Sequence, residues 1–133
     1  MTTETGIVLP GVTETMTVNI DSDLSDKEYT FVDFDATDSG VVNAVADSAT
    51  VGFILQDAGD GSSTATTGSI AIGGVSKLKI AGIVTQGDKV TATTAGRGIT
   101  TTTDTQNYGA IALASGVTGD TIPVKVIPGM IAG

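Results

Sequence analysis

The chain is 133 residues long and 40% hydrophobic, but only 4% of it is aromatic and Trp is absent, which fits one domain with a thin, β-branched core. It contains neither Cys nor His, which excludes disulfides, thiolate metal sites, Ser-His-Asp and Cys-His catalysis, and histidine-based zinc chemistry. The formal charge of −9 is one-sided: residues 1–60 carry twelve of the fifteen carboxylates against Lys27 alone, a balance of −11, while residues 61–133 carry +2. An acidic half repels phosphate backbones, so nucleic acid is not an expected partner. No segment approaches the roughly 20 consecutive apolar residues of a membrane helix, so no membrane partner is expected either. The first residues lack the basic and apolar stretches of a cleaved leader.

In chain order, residues 1–12 run polar, then apolar at Ile7, Val8 and Leu9, then break at Pro10-Gly11, and read as an extended N-terminal arm. Residues 13–20 alternate strictly, with Met16, Val18 and Ile20 on one face and Thr13, Thr15, Thr17 and Asn19 on the other, the pattern of a half-buried strand. Residues 21–26 read as a polar turn, and residues 28–34, 41–42 and 51–56 as strands. A Gly/Ser/Thr-rich loop is expected over residues 57–68, long for a compact domain. Residues 69–72 and 75–80 flank Gly73-Gly74, which predicts a hairpin because glycine reaches positive φ without steric cost. Strands follow at 89–94, 99–103, 108–113 and 121–127, separated by turns at 86–88, 95–98 and 116–120. Pro123 assigns the last strand to an edge or a bulge, since proline donates nothing to a ladder.

The spacing also repeats. Gly40, Gly52 and Gly73 are answered by Gly96, Gly109 and Gly129 at offsets of 56, 57 and 56 residues, and the strand at 51–55 is answered by the strand at 108–112. With no convincing helical period, the expectation is an all-β fold. It is a small β-barrel or sandwich of short antiparallel strands in one domain, residues 13–133, built from two similar units at about 27–80 and 81–133.

Candidate chemistry is sparse. Asp38-Ser-Gly40 has the composition of an aspartic protease triplet, which a homodimer would supply twice, but the polar lead-in at Asp35-Ala-Thr favours a turn. Asp33 and Asp35 share a strand face as a glycosidase pair does, without the aromatic platform such a cleft needs. Residues 21–26 and 33–40 crowd carboxylates without the spacing of a calcium loop. No catalytic residue, metal site or cofactor is therefore expected. Arg97, between two glycines, is an exposed donor suited to gripping a partner's carboxylate. Lys77 and Lys79 read as residues that blunt a strand face.

The order of elements over residues 78–129 resembles the capsid cement or decoration proteins of tailed bacteriophages. It comprises Lys89-Val-Thr-Ala-Thr-Thr-Ala-Gly96, Tyr108-Gly-Ala-Ile-Ala-Leu113, Gly119-Asp-Thr-Ile-Pro-Val-Lys-Val126 and the closing Pro128-Gly129. Residues 28–75 follow the same order more loosely. The resemblance implies a virion structural protein on the outer surface of the phage head. Such proteins often stand as homotrimers and clamp neighbouring subunits of the major capsid protein. It also implies an N-terminal arm that becomes ordered on the lattice, which makes Thr2, Thr3, Ile7, Val8 and Leu9 expected contact residues beside Arg97. The rival expectation is a carbohydrate-binding or adhesin module, which needs exposed stacked aromatics; the chain has two Tyr and three Phe.

Overall fold

The computed structural model describes residues 12–20, 24–34, 41–43, 53–59, 66–93 and 95–131, with the backbone alone at 41–43 and at Thr66. Apart from Val12, the expected arm lies outside the described residues. Among the described residues there are nine strands and no helix: β1 (Thr13–Ile20), β2 (Phe31–Phe34), β3 (Val41–Asn43), β4 (Phe53–Asp57), β5 (Thr66–Lys79), β6 (Lys89–Ala92), β7 (Gly98–Thr100), β8 (Asn107–Ala112) and β9 (Thr121–Met130). All pair antiparallel in the order β3-β2-β4-β5-β9-β8-β6-β7, with β1 also on β5. The fold is all-β, an antiparallel sheet nearly closed into a barrel.

β5 belongs to two units. Residues 66–74 pair with β1, and residues 69–71 also with β4, so the first unit runs β1-β5-β4-β2-β3. Residues 75–79 pair with β9, so the second runs β5-β9-β8-β6-β7. A parallel bridge from Ile80 to Gly98 and a 2.9 Å bond from the Ala81 amide to the Gly98 carbonyl return β7 to β5.

The two units have the same topology in the same register. Val32 faces Asn43 and Phe53, as Val90 faces Thr100 and Ala110. Leu55 faces Ile70 as Ala112 faces Val124, and Val18 faces Gly68 as Leu78 faces Ile122. The turn before the second strand of each unit is duplicated bond for bond. The Tyr29 amide donates to Leu55 and the Leu55 amide to Thr30, at 2.7 and 3.0 Å. Gly87 donates to Ala112 and Ala112 to Asp88, at 2.8 and 2.9 Å. Both turns pass through a left-handed residue, Gly87 at φ 94° and Tyr29 at φ 62°. Glycine adopts that conformation freely and tyrosine does not.

Core positions follow from the alternation of each strand. The inward row of the first unit, Val18, Ile20, Val32, Leu55 and Ile70, is buried. Its equivalents Leu78, Ile80, Val90, Ala112 and Val124 form the centre of the second. The first unit also buries its outward row, Phe31, Ile54 and Ala71, against the second unit's core. The Phe31 amide donates to the Gly96 carbonyl and the Lys79 amide to the Tyr29 carbonyl, each at 2.7 Å, fastening the two units together.

Three local expectations are corrected. Gly73-Gly74 is not a hairpin turn: β5 continues through it from one unit to the other. Gly74, at φ 73°, lets the Val12 carbonyl approach where a Cβ would lie 2.0 Å away, and the Val75 amide bonds that carbonyl at 3.0 Å. Pairing with β1 through Gly74 and with β9 from Val75 onward holds the chain extended where a turn would fold it back on itself. Pro123 lies inside the sheet, opposite Lys77 and between β5 and β8, not on an edge. Its carbonyl accepts from Leu113, just past the end of β8, so its missing donor falls where the ladder stops. The strand expected from residue 28 starts at Phe31, because Tyr29 is spent in the turn.

Candidate contact surface

Thr2, Thr3, Ile7, Val8 and Leu9 lie outside the described residues, as do Asp35 and Asp38. Arg97 is in the turn between β6 and β7. Its carbonyl accepts from Thr93 at 2.8 Å, and its neighbour Gly96, at φ 78°, presents the carbonyl that holds Phe31, while the Arg97 side chain is exposed. Backbone bonds at Thr93 and Gly96 thus hold Arg97 in place, with its side chain exposed.

The described carboxylates mostly hold turns. Asp33 Oδ1 accepts from the Phe34 amide at 2.8 Å, Asp57 Oδ1 from Gly59 at 2.9 Å, and Asp120 Oδ2 from Val117 at 2.9 Å. Glu28 Oε2 accepts from the Ala58 amide at 3.2 Å. Asp88 Oδ2 accepts from both the Thr85 amide at 2.9 Å and the Thr100 hydroxyl at 2.8 Å. Among the described residues no three carboxylates gather as a metal cage would require. A hollow of about 310 Å³ is lined by Gly87, Asp88, Lys89, Thr100, Thr101, Thr102 and Ile131. Its carboxylate is already bonded to the Thr85 amide and the Thr100 hydroxyl, and the Thr101 hydroxyl donates to Gln106, so these groups hold the surrounding turns together. Asp88→Ala is expected to cost about 1–2 kcal/mol by stranding the Thr85 amide and the Thr100 hydroxyl. Urea unfolding checks this, and an unchanged midpoint would show that the turn holds without the carboxylate.

One surface is absent from the sequence expectations. On the outer face of the second unit, Val75, Lys125, Ile111 and Lys89 lie in register across β5, β9, β8 and β6. Lys77 and Lys79 follow Val75 along the same face of β5. Lys89 and Lys125 are exposed, with Ile111 half-buried between them. The Lys89 ammonium stands 5.5 Å from the Tyr108 ring centroid, and that of Lys77 stands 5.6 Å from the Tyr29 ring. Each lysine is visible as an outward position in an alternating strand, for instance Lys125 between Val124 and Val126. Only the register places them in one row.

No protein-family model matches this chain, and no curated protein matches it by sequence. Its structure is similar to the crystal structure of the head fiber gp8.5 N base in bacteriophage phi29, with a TM-score of 0.56 and 11% identity. The match spans 87% of this chain and 95% of the phage chain, so what the two proteins share is the fold over almost their whole length.

Proposed function

We propose that this chain is a non-enzymatic structural protein of a tailed-bacteriophage head, sitting on the outer surface of the shell as a homotrimer and stabilising it by bridging major capsid protein subunits. The observation that carries this reading is the likeness of fold, nearly end to end, to the base of a phage head fiber. The order of turns and strands over residues 78–129, which resembles capsid decoration proteins, supports it from the sequence. Such a role draws its strength from many weak contacts multiplied by symmetry, so it calls for surfaces rather than a reacting centre. The apolar Ile7, Val8 and Leu9 of the arm fit the addition of a strand to a shell groove, and Arg97 fits a carboxylate there.

Co-sedimentation with intact, undecorated phage heads tests the proposal, using the full chain, a chain lacking residues 1–9, and Arg97→Ala. The full chain is expected to bind saturably at a copy number set by the shell's symmetry. The truncation and Arg97→Ala are expected to bind more weakly while unfolding at the same urea concentration. Absence of the full chain from pellets of heads of the matching phage would overturn the reading. Unchanged binding by the truncated chain would remove the arm from it.

A further inference from the structure

The duplication gives the lysine row an equivalent inside the molecule. Phe31, Ile54 and Ala71 lie in register across β2, β4 and β5, with Thr15 of β1 opposite Ala71. Under the correspondence that maps Val32 onto Val90 and Leu55 onto Ala112, these positions become Lys89, Ile111, Lys125 and Val75. In the first unit Phe31, Ile54 and Ala71 form the docking face, fully buried against the second unit, while Thr15 at its β1 end is exposed. In the second unit the same row is open. A stacked array ends on a polar face where no further unit follows, but a face that merely meets water ordinarily mixes charges of both signs. This row carries two lysines and no carboxylate, has Lys77 and Lys79 beside it, and keeps Ile111 between the two lysines and Val75 at its β5 end. The nearest carboxylate in sequence, Asp88, is engaged by Thr85 and Thr100.

The complementary charge is on the same chain. Residues 1–60 carry a balance of −11 and residues 61–133 carry +2. We propose that the Val75–Lys125–Ile111–Lys89 row is the surface on which a second copy of this chain docks, receiving that copy's acidic first unit. The contact is head-to-tail, repeating between molecules the stacking that joins the two units within one. It closes into a ring or extends as a fibre according to the rotation it imposes. Since lysines replace Phe31 and Ala71, the contact is charge-driven and reversible rather than core-like. It supplies a contact for the homotrimer proposed above, but it is tested without phage heads, so the two proposals fail separately.

The experiment is sedimentation velocity of the full-length protein over a concentration series at about 0.15 M and about 1 M salt, where the screening length falls from about 8 to about 3 Å. Self-association is expected at the lower salt and is expected to weaken at least tenfold at the higher. The double variant Lys89→Glu/Lys125→Glu is expected to sediment as a monomer under both conditions, with its urea midpoint near that of the parent because both side chains are exposed. Lys27→Glu, a single charge reversal in the first unit, is expected to keep associating. Because the contact is head-to-tail, the double variant still offers its acidic unit and is expected to cap the parent's assemblies on mixing. A parent that is monomeric throughout, a double variant that associates like the parent, or a double variant that fails to cap the parent would each overturn the proposal.

Discussion

Phe31→Ala is expected to cost about 3–5 kcal/mol of unfolding free energy, the range for removing a fully buried aromatic from a core that cannot collapse around the gap. Phe31 has no exposed surface and packs in the cluster that joins the first unit's outward row to the second unit's interior. Its amide is also tied to Gly96 across the junction. Removing the ring therefore weakens the packing between units at the point where their backbones are fastened. The duplicated register supplies an internal control. Lys89 occupies the equivalent position, is exposed, and as Lys89→Ala is expected to change stability by no more than about 0.5 kcal/mol. Urea unfolding followed by far-UV circular dichroism measures both. A cost below about 1 kcal/mol for Phe31→Ala would mean that the units are not held through this row. A large cost with a second, separate transition would show that the first unit loses its support before the second unfolds.

The contrast between Phe31 and Lys89 also marks what the sequence discloses. Strand positions are readable because alternation is local: Val18 and Ile20 point inward as the pattern in β1 requires, and Ile122, Val124 and Val126 do so in β9. The offset of 57 residues between the strands at 51–55 and 108–112 is the one the pairing gives for β4 and β8, where Leu55 answers Ala112. It drifts elsewhere because the intervening turns differ in length. Ile70 answers Val124, so Gly73 and Gly129 are not equivalent. Periodicity does not reveal a strand covered on both faces. Phe31 and Val32 are consecutive and both fully buried, because one faces its own unit and the other faces the next. Likewise Gly73-Gly74 carries the chemistry of a turn, and what decides against one is a tertiary neighbour, the Val12 carbonyl. The lysine row is hidden for the same reason, since its members come from strands far apart in sequence.

Gly98→Val is expected to open the second unit, at a cost of about 3 kcal/mol or more, the upper part of the range for overfilling a packed core. Even a methyl group is too large at this position. A Cβ on Gly98 would lie 2.7 Å from Leu78 Cδ2 and 2.7 Å from Val90 Cγ1, closer than nonbonded carbons approach. Both neighbours are fully buried and have nowhere to retreat. The position is also where β7 returns to β5 through the Ile80 bridge and the Ala81 amide, so displacing its backbone breaks the closure of the barrel as well as its packing. Gly98→Ala is accordingly expected to cost about 1–3 kcal/mol. Gly82→Ala, whose Cβ meets only Ile99 Cγ2 at 3.6 Å, is expected to be neutral or to stabilise by up to about 1 kcal/mol through the unfolded chain. Pairing Gly98→Ala with Leu78→Ala separates crowding from backbone effects. If the methyl is penalised because it strikes Leu78, the double variant loses less than the sum of the two single costs, with a coupling of about 0.5–3 kcal/mol. Strict additivity would place the cost at Val90 or in the backbone at Gly98 rather than at Leu78, and a parental urea midpoint for Gly98→Ala would mean that β7 does not approach β5 this closely.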